Sequence, residues 1–561
     1  MIIRAMDKFT VARMLDEISR YLDLSDPKPF RARAFERAAR AVESIDDDIV
    51  DIVKRGEVTS IEGVGKGTGD IIDEIVRTGS SPYLEEFRKQ YPPGIFDLLR
   101  VPKLGLKKIG VLYTELGIGS LDALEEAAKS GAISKLKGFG PKTAETILKN
   151  IEFARLRESQ FLLPVGIEVG EMIRERLTDI DEIDDAEITG SVRRRLEVIR
   201  NVNIVISTKK PEKVLERLPK LVDQFELVDD TTAKGVARGE MDVFFHLTTA
   251  AEFGTTVLRT TGSSEFVEAL GKLPKAKTEA DAFEKLEIPY VEPERREDAS
   301  ELKRKRRAKL VELADLRGTF HVHTTFSDGR NTMREMLTAA HGRGFDYVGI
   351  SDHSKAAYYA GGLTEERLRE QHAEIDAIEG DVAPMRVFRG TEADILPDGT
   401  MDYGAKVLDR FDFVIASVHS QFQMDEEQMT ERILRAMDDP HVTILGHLTG
   451  RLLLSRSGYK VDYDRIFDKA AEKGVIVEIN GNPRRLDVDW RHVKRAIDRG
   501  VVFSINPDAH SISELNALIT GTWVARKAGL TAKQIFNTRS VEEVAEHFES
   551  RRAPARGAAH R

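Results

Sequence analysis

Cysteine is missing from all 561 residues, which excludes disulfides and thiolate metal sites and suits a reducing compartment. No apolar run approaches the ~18 residues that a membrane-crossing helix needs. The start, Met1-Ile-Ile-Arg-Ala-Met-Asp7, lacks the basic-then-apolar order of a signal peptide. A cytoplasmic protein with no membrane partner is expected. Histidine is nearly missing before residue 318: of 13, only His246 lies there. With 41% hydrophobic and 32% charged residues, the composition excludes a disordered chain, and the length calls for three or more domains. The net charge of −10 argues against a surface that is basic throughout, yet residues 101–150 carry eight lysines against five carboxylates. Lys303-Arg-Lys-Arg-Arg307 is a second basic run, consistent with either a solvated interdomain segment or a DNA contact.

Chemistry-bearing residues gather after residue 317. Phe320-His321-Val322-His323 alternates like a short strand, which puts two imidazoles on one side, and Asp328 follows a few residues into the loop. Six further apolar, β-branched runs recur down the chain, separated by helix-like segments such as 332–343 and 512–528. Tyr347-Val-Gly-Ile-Ser351 leads into Asp352 and His353, and the run from Arg386 leads into Glu392. The later runs lead into His419, into His447, into Glu478 with Asn480, and into Asp508 with His510. Strands alternating with helices over this length argue for a parallel barrel, in which functional groups collect at the C-terminal strand ends. His341, His372, His441, His492, His547 and His560 fall elsewhere and are expected to be packing or surface residues.

Imidazole nitrogen and carboxylate oxygen without thiolate suit Zn²⁺, Mn²⁺ or Fe²⁺, and about nine such donors call for two or three ions. A cluster of that kind activates water near neutral pH and clamps the attacking and leaving oxygens of a phosphoester. Phosphoester hydrolysis is therefore the expected reaction class. Residues 317–550 resemble a PHP (polymerase and histidinol phosphatase) domain. The matching motifs are His321-x-His323 with Ser327-Asp328-Gly329, Ser351-Asp-His-Ser354, Gly390-Thr-Glu-Ala-Asp394, Ser417-Val-His419, Gly446-His447 and Pro507-Asp-Ala-His510. The resemblance implies a seven-stranded distorted barrel with a trinuclear metal site. It implies as ligands His321, His323, Asp328, His353, Glu392, His419, His447, Asp508 and His510.

Near the N-terminus, Val11, Met14, Leu15, Ile18 and Leu22 stand at helical spacing. Two similar stretches follow, Ile61-Glu-Gly63-Val-Gly65 and Leu136-Lys-Gly138-Phe-Gly140, with a weaker copy at Val101-Pro-Lys103-Leu-Gly105. Each paired-glycine turn opens a helix, whose free amides attract phosphate. The pattern does not follow a strand, which argues against a dinucleotide fold. It resembles helix-hairpin-helix units, which grip DNA backbone without reading sequence. A helix–turn–helix that only packs is the alternative.

Ile188-Thr-Gly190-Ser191-Val-Arg-Arg194, followed by Val202-Asn-Ile-Val-Ile206, adds a third signature. With the hairpins before it and the PHP-like stretch after it, nearly the whole chain resembles bacterial and archaeal family X DNA polymerases (PolX). The resemblance implies a multidomain fold: a helical N-terminal domain with the first helix-hairpin-helix (1–90), and a fingers-like helix-hairpin-helix region (91–157). After these come an α+β nucleotidyltransferase-like palm with a reduced thumb (158–297), a basic linker (298–316) and the seven-stranded (β/α) PHP barrel (317–561). Gly190, Ser191 and Arg194 match the family's nucleotide triphosphate site. Where the family has Asp-x-Asp for catalytic Mg²⁺, however, the chain has Asn201-Val-Asn203, and Asp242 alone remains of three carboxylates. Mg²⁺ favours anionic oxygen, so weak or lost Mg²⁺ binding and synthesis are expected at the palm. Arg259-Thr260 replace the usual Tyr-Phe, and Val267 replaces an Asn. Gly67 and Ile71 stand where lyase-competent relatives have lysines, which leaves only Lys66 nearby for Schiff-base chemistry.

The resemblance implies a DNA-repair nuclease, expected to be monomeric, that acts on gapped, nicked or 3′-ended DNA without sequence preference. The implied activity is 3′–5′ exonuclease, with abasic-site endonuclease and 3′-phosphatase as related activities, and Mn²⁺ or Zn²⁺ in the barrel, Fe²⁺ also suiting the donors. Lys355, Arg451 and Arg484 lie in loops just past strand ends and are candidate phosphate contacts. The alternatives are a working gap-filling polymerase with proofreading, a non-catalytic DNA-end binder and a small-molecule phosphatase.

Overall fold

The computed structural model describes residues 8–25, 29–43, 45, 47–101, 104–155, 159–237, 241–304 and 308–558. Lys103, residues 305–307 of the basic run and His560 lie outside them. The chain divides into two compact units, Met1–Glu158 and Ser159–Arg561.

The first unit is helical. Helices Lys8–Ser25 and Pro29–Glu43 bury Val11, Leu15, Ile18 and Leu22 in their seam, as the spacing predicts. The helix Ile49–Arg55 stops at Gly56, and after a turn through Gly63 (φ 93°) the helix Lys66–Thr78 starts with Gly65 as its N-cap. Gly138 (φ 90°) leads in the same way into Pro141–Arg155, and Gly105 caps Leu106–Leu116. Side chains with a Cβ resist this left-handed backbone, so glycine at 63 and 138 is what lets each turn close. Nothing lies within 4 Å of where a Cβ would project from Gly65, Gly138 or Gly140, so these turns are open to the backbone of a ligand.

The second unit opens with a mixed sheet. Its strands are β1 (Ile183–Thr189), β2 (Asn201–Thr208), β3 (Asp223–Asp229), β4 (Thr232–Ala237) and β5 (Met241–Thr248), in the order β1-β2-β5-β4-β3. Only the β2–β5 pair is parallel. Met241, Val243, Phe245 and Leu247 alternate inward on β5 and join a core that includes Val169 and Ile173 of the helix Leu163–Thr178. Beyond the sheet, the short helices Ser264–Leu270 and Glu279–Lys285 enclose Phe266 and Phe283. Arg296 is fully buried beside them, paired with Glu279.

Seven parallel strands follow in sequential order: β6 (Gly318–Val322), β7 (Tyr347–Ile350), β8 (Arg386–Asp394), β9 (Phe413–Ser417), β10 (Ile444–Leu445), β11 (Ile476–Asn480) and β12 (Phe503–Asn506). They are buried on both faces, which is why they read as continuous apolar runs. The gap between β12 and β6 is bridged. His323 N donates to Ala509 O at 2.9 Å, and Ala509 N donates to His321 O at 3.1 Å. The buried Asn537 side chain donates to Gly318 O at 3.0 Å and Ile505 O at 2.7 Å, and accepts from Ile505 N at 3.0 Å. The ring is thus nearly closed. Phe320, Tyr347, Phe388, Phe413, Phe536 and Phe548 pack near the N-terminal ends of the strands and leave the opposite end for function. A Cβ on Gly390 would come 2.2 Å from the Phe413 ring, so glycine there admits the aromatic floor two residues before Glu392.

The predicted helix 332–343 is Met333–Gly342, held by a capping box between Thr332 and Glu335. The predicted helix 512–528 divides into a 3₁₀ turn, Ser513–Asn516, and the helix Ala517–Ala528.

Candidate metal centre

The strand ends deliver all nine expected ligands to one place. Glu392 occupies the middle, 1% exposed. Its Oε1 lies 2.9 Å from His447 Nε2, 3.2 Å from His419 Nε2 and 3.3 Å from His321 Nε2. Its Oε2 lies 2.9 Å from His353 Nδ1 and 3.6 Å from His323 Nε2. Asp508 Oδ1 lies 3.4 Å from His321 Nε2 and 3.5 Å from His323 Nε2. Asp328 Oδ1 lies 3.3 Å from His510 Nε2 and 3.6 Å from His353 Nε2. The nine form four overlapping groups, each with donor atoms within 4.8 Å of one another.

Simple alternation along β6 is not what pairs its two histidines. The register of β6 against β7 shifts between Thr319 and Val322, and His321 adopts φ 62°. This bulge re-aims the first imidazole, leaving the two ring centroids 5.2 Å apart. Asp508 is also left-handed, at φ 53°. Non-glycine residues held in that region gather at functional sites.

Three imidazoles are oriented from behind. A carboxylate only accepts, so His321 Nδ1 donates to Glu478 Oε2 at 2.6 Å and His419 Nδ1 donates to Asp394 Oδ1 at 3.1 Å. His510 Nδ1 donates to Asp508 O at 3.1 Å. Each bond leaves Nε2 facing the cluster, as metal-binding histidines require. Glu478 is itself held by Asn506 Nδ2 at 2.9 Å, Asn480 Nδ2 at 2.9 Å and His447 N at 3.0 Å. Asp352 takes no ligand place. It accepts from Thr324 N and Oγ1, Ser327 Oγ and Gln371 Nε2, and so anchors the loop that carries Asp328. Replacing Glu478 with glutamine is expected to lower metal affinity about 10- to 100-fold, the range for such outer partners, as measured by Mn²⁺ titration.

Among the buried donors, His321 Nε2, His323 Nε2 and both Glu392 oxygens have no hydrogen-bond partner within the protein. Buried polar atoms are rarely left so, and a divalent cation satisfies every one of these lone pairs. The electrostatics agree. Burial, with His510 and His353 nearby, lowers His323 to about 3, so its imidazole is neutral. Burial also disfavours charge on His321, but Glu478, Asp508 and Glu392 outweigh it and raise the imidazole well above its usual value. His419 is raised against burial to about 10 by Glu392 and Asp394, and His510 to about 9 by Asp328 and Asp508. Burial works against charge on Glu392 too, yet His419, His321 and His353 hold it well below the usual carboxylate range. The site demands positive charge at its centre, and its donor set fits divalent metal ions.

The candidate phosphate contacts fare differently. Lys355 and Arg484 are exposed. Arg451 is instead spent within the protein. Its guanidinium bonds Arg485 O at 2.8 Å, Asp489 Oδ2 at 2.6 Å and Leu486 O, which staples one loop and engages all three of its nitrogens. Arg485, which the strand-end pattern passes over, reaches the centre, with Nε 3.1 Å from Asp508 Oδ2.

At the mixed sheet, Asn201 and Asp242 face each other across β2 and β5. Asn203 Nδ2 donates to Asn201 Oδ1 at 2.8 Å, and His246 Nε2 lies 3.0 Å from Asn203 Oδ1. Burial and Arg259 lower the His246 pKa, so this chain of groups is neutral. Asp242 pairs with Lys234 at 3.1 Å. Gly190 and Ser191 start the turn after β1, where a Cβ at 190 would meet Asn203 Nδ2 at 2.8 Å. Arg194 is engaged by Glu297 at 3.0 Å and by Thr261 O at 2.8 Å. Lys527, from the helix after the barrel, donates to the same Glu297 at 2.5 Å and to Arg194 O at 2.9 Å.

These features define a protein that joins a PHP-type metal-dependent phosphoesterase barrel to helix-hairpin-helix units through a mixed-sheet domain. Residues 319–482 match the PHP domain, residues 6–81 a helix-hairpin-helix domain, and residues 95–152 a SAM-like helix-hairpin-helix tandem. The chain is 35% identical over 565 residues to the DNA polymerase/3'-5' exonuclease PolX of Bacillus subtilis (strain 168), covering 96% of this chain and 99% of that protein. It belongs to the PolX family. The chain is also similar to a probable phosphatase of Thermoanaerobacter sp. (strain X514), 24% identical over 243 residues, or 41% of this chain and 94% of that one. A probable phosphatase of Clostridium acetobutylicum is 30% identical over 170 residues, covering 28% of this chain and 62% of that one. No helix among the described residues is long and apolar enough to cross a membrane.

Proposed function

We propose that this protein is a repair nuclease that hydrolyses phosphoesters at the 3′ ends of gapped or nicked DNA, while its palm adds few or no nucleotides. The observation that carries this reading is the convergence of nine imidazole and carboxylate side chains, with the buried Glu392 in their middle. His321, His323, Asp328, His353, Glu392, His419, His447, Asp508 and His510 would hold two or three ions, Mn²⁺ or Zn²⁺, with Fe²⁺ also suited to the donors. Bound there, such ions lower the pKa of water and take up charge on the phosphoryl oxygens.

The protein's own groups prepare that chemistry. Glu392 is shared between the His321–His447 side and the His353–His419 side and spaces them. Glu478 and Asp394 fix imidazole orientation. Arg485 brings a cation beside Asp508, where an anionic ester would approach. Lys355 and Arg484 are proposed as further phosphate contacts, and the turns at Gly63–Gly65 and Gly138–Gly140, open at Gly65, Gly138 and Gly140, as grips on DNA backbone. The protein would work as a cytoplasmic monomer.

End-labelled gapped DNA with Mn²⁺ or Mg²⁺, with and without dNTPs, tests this reading. The label is expected to shift to shorter products whether or not dNTPs are present. Lengthening, or an unchanged strand with every metal, would overturn it.

A further inference from the structure

The loop after His353 carries two aromatic rings that the metal centre does not use. Tyr358 and Tyr359 are 84% and 64% exposed, the most exposed large side chains of the barrel's apolar and aromatic set. They stand side by side in the 3₁₀ turn Tyr358–Ala360, ring centroids 6.0 Å apart and planes at 78°.

The turn is firmly held. Leu363 N donates to His353 O at 2.8 Å, and Ala356 N donates to Asp402 Oδ2 at 2.9 Å. Arg367 ties the turn to the Asp328 loop, since its guanidinium bonds Gly361 O at 2.8 Å and also Phe326 O. A Cβ at Gly361 would lie 3.4 Å from Ser327 O, so the two loops are in contact. Ala357 and Ala360 are buried beneath, leaving the two tyrosines as the outer edge. Partial burial raises the Tyr359 phenol, and the carboxylates of Asp394, Glu392 and Asp328 raise it further, which places that ring within the field of the metal centre. Lys355 and Arg330, both exposed, flank the same two loops.

Packing gives no reason to leave two rigidly mounted aromatic rings in water beside a phosphoesterase mouth. A nucleic-acid strand gives one: every base has a face that stacks on an aromatic ring, with little regard to sequence. We propose that Tyr358 and Tyr359 form a stacking step that receives the last unpaired bases of the strand whose 3′ end enters the metal centre. This rests on the reading of the barrel as a DNA phosphoesterase. It adds that the terminal bases as well as the phosphate are gripped.

Two oligonucleotides decide it, one with an ordinary 3′ end and one whose two 3′-terminal residues lack bases, each incubated with Mn²⁺ and the full-length protein. Stacking of two bases predicts that the wild type prefers the ordinary end by about tenfold or more in kcat/KM. In the Tyr358→Ala/Tyr359→Ala variant that ratio is expected to fall to near one, and in the corresponding double Phe variant to persist. Both side chains are exposed, and circular dichroism checks that the variants fold. A preference undiminished by the alanines, or no preference in the wild type, would overturn the stacking step alone. A wild type that leaves both oligonucleotides intact would defeat the phosphoesterase reading and the stacking step together.

Discussion

Glu392→Gln is expected to lower Mn²⁺-dependent hydrolysis of 3′-ended DNA by at least ~10³-fold while the barrel remains folded. The substitution keeps shape and volume and removes one negative charge from the most connected donor of the site. Five imidazole nitrogens lie within 3.6 Å of the two Glu392 oxygens, drawn from His321, His323, His353, His419 and His447. An amide offers one neutral oxygen and one NH₂, so only one side of the cluster keeps an oxygen ligand, and the other faces a donor that repels cations. A metal cluster supplies several kcal/mol of transition-state stabilisation. Losing about 4 kcal/mol of it is ~10³ in rate. Metal content measured alongside the rate separates lost ions from lost folding: the variant should retain fewer ions per chain than the wild type at an unchanged circular dichroism spectrum. Full activity in Glu392→Gln would sink the cluster assignment. Metal affinity should also depend on pH with a definite sign. His419 and His510 are raised to about 10 and about 9, so at neutral pH both carry protons that an incoming ion must displace. Affinity for Mn²⁺ is therefore expected to rise as pH rises from 6 toward 9.

The barrel was legible because its chemistry and its pattern coincide. Apolar runs ending in His, Asp or Glu mark both the strand positions and the donors that meet, since a parallel barrel collects its functional groups at the C-terminal strand ends. The sequence pattern could not foresee the backbone at His321 and Asp508: a left-handed φ at a non-glycine residue is imposed by tertiary packing, and no residue type announces it. Nor could it separate Arg451 from Arg485. Both follow strand ends, but a guanidinium is spent on whatever carbonyls and carboxylates the folded loop supplies, and these come from residues 485–489, more than thirty positions from Arg451. Glu478 is an intermediate case. The strand-end rule places it in the site, yet its role behind His321 depends on which imidazole nitrogen it meets, which is a matter of geometry. Asn537 closes the barrel from beyond the last strand, and nothing in its local sequence distinguishes it from a loop asparagine.

Neither the wild type nor the Asn201→Asp/Asn203→Asp variant is expected to extend a primed gap, although the variant should bind Mg²⁺ at least tenfold more tightly. Two restored charges about 4 Å from a cation, at an effective dielectric near 20, are each worth several kcal/mol, so the gain in binding is the simpler half. Synthesis needs more than ions. Asp242 is paired with Lys234, which competes with Mg²⁺ for the same carboxylate. Asn203 is bonded to Asn201 and lies against His246, so the two amides and the imidazole have been fitted to one another as a neutral chain rather than left as two isolated gaps. Arg194, the expected triphosphate contact, is bound to Glu297, a carboxylate it shares with the buried Lys527. To meet a triphosphate, that guanidinium would have to leave Glu297 and Thr261 O, and the cation–carboxylate arrangement joining the mixed-sheet region to the helix Ala517–Ala528 would lose a member. Arg194 therefore serves as part of the internal contact of the second unit, which the Asp substitutions leave untouched. Isothermal titration with Mg²⁺ reads the first effect and a primer-extension gel the second. Clear extension by the wild type would overturn the account of Asn201 and Asn203. Extension by the restored variant alone would show that the two missing carboxylates were the whole defect, and that the Arg194–Glu297–Lys527 contact yields to nucleotide.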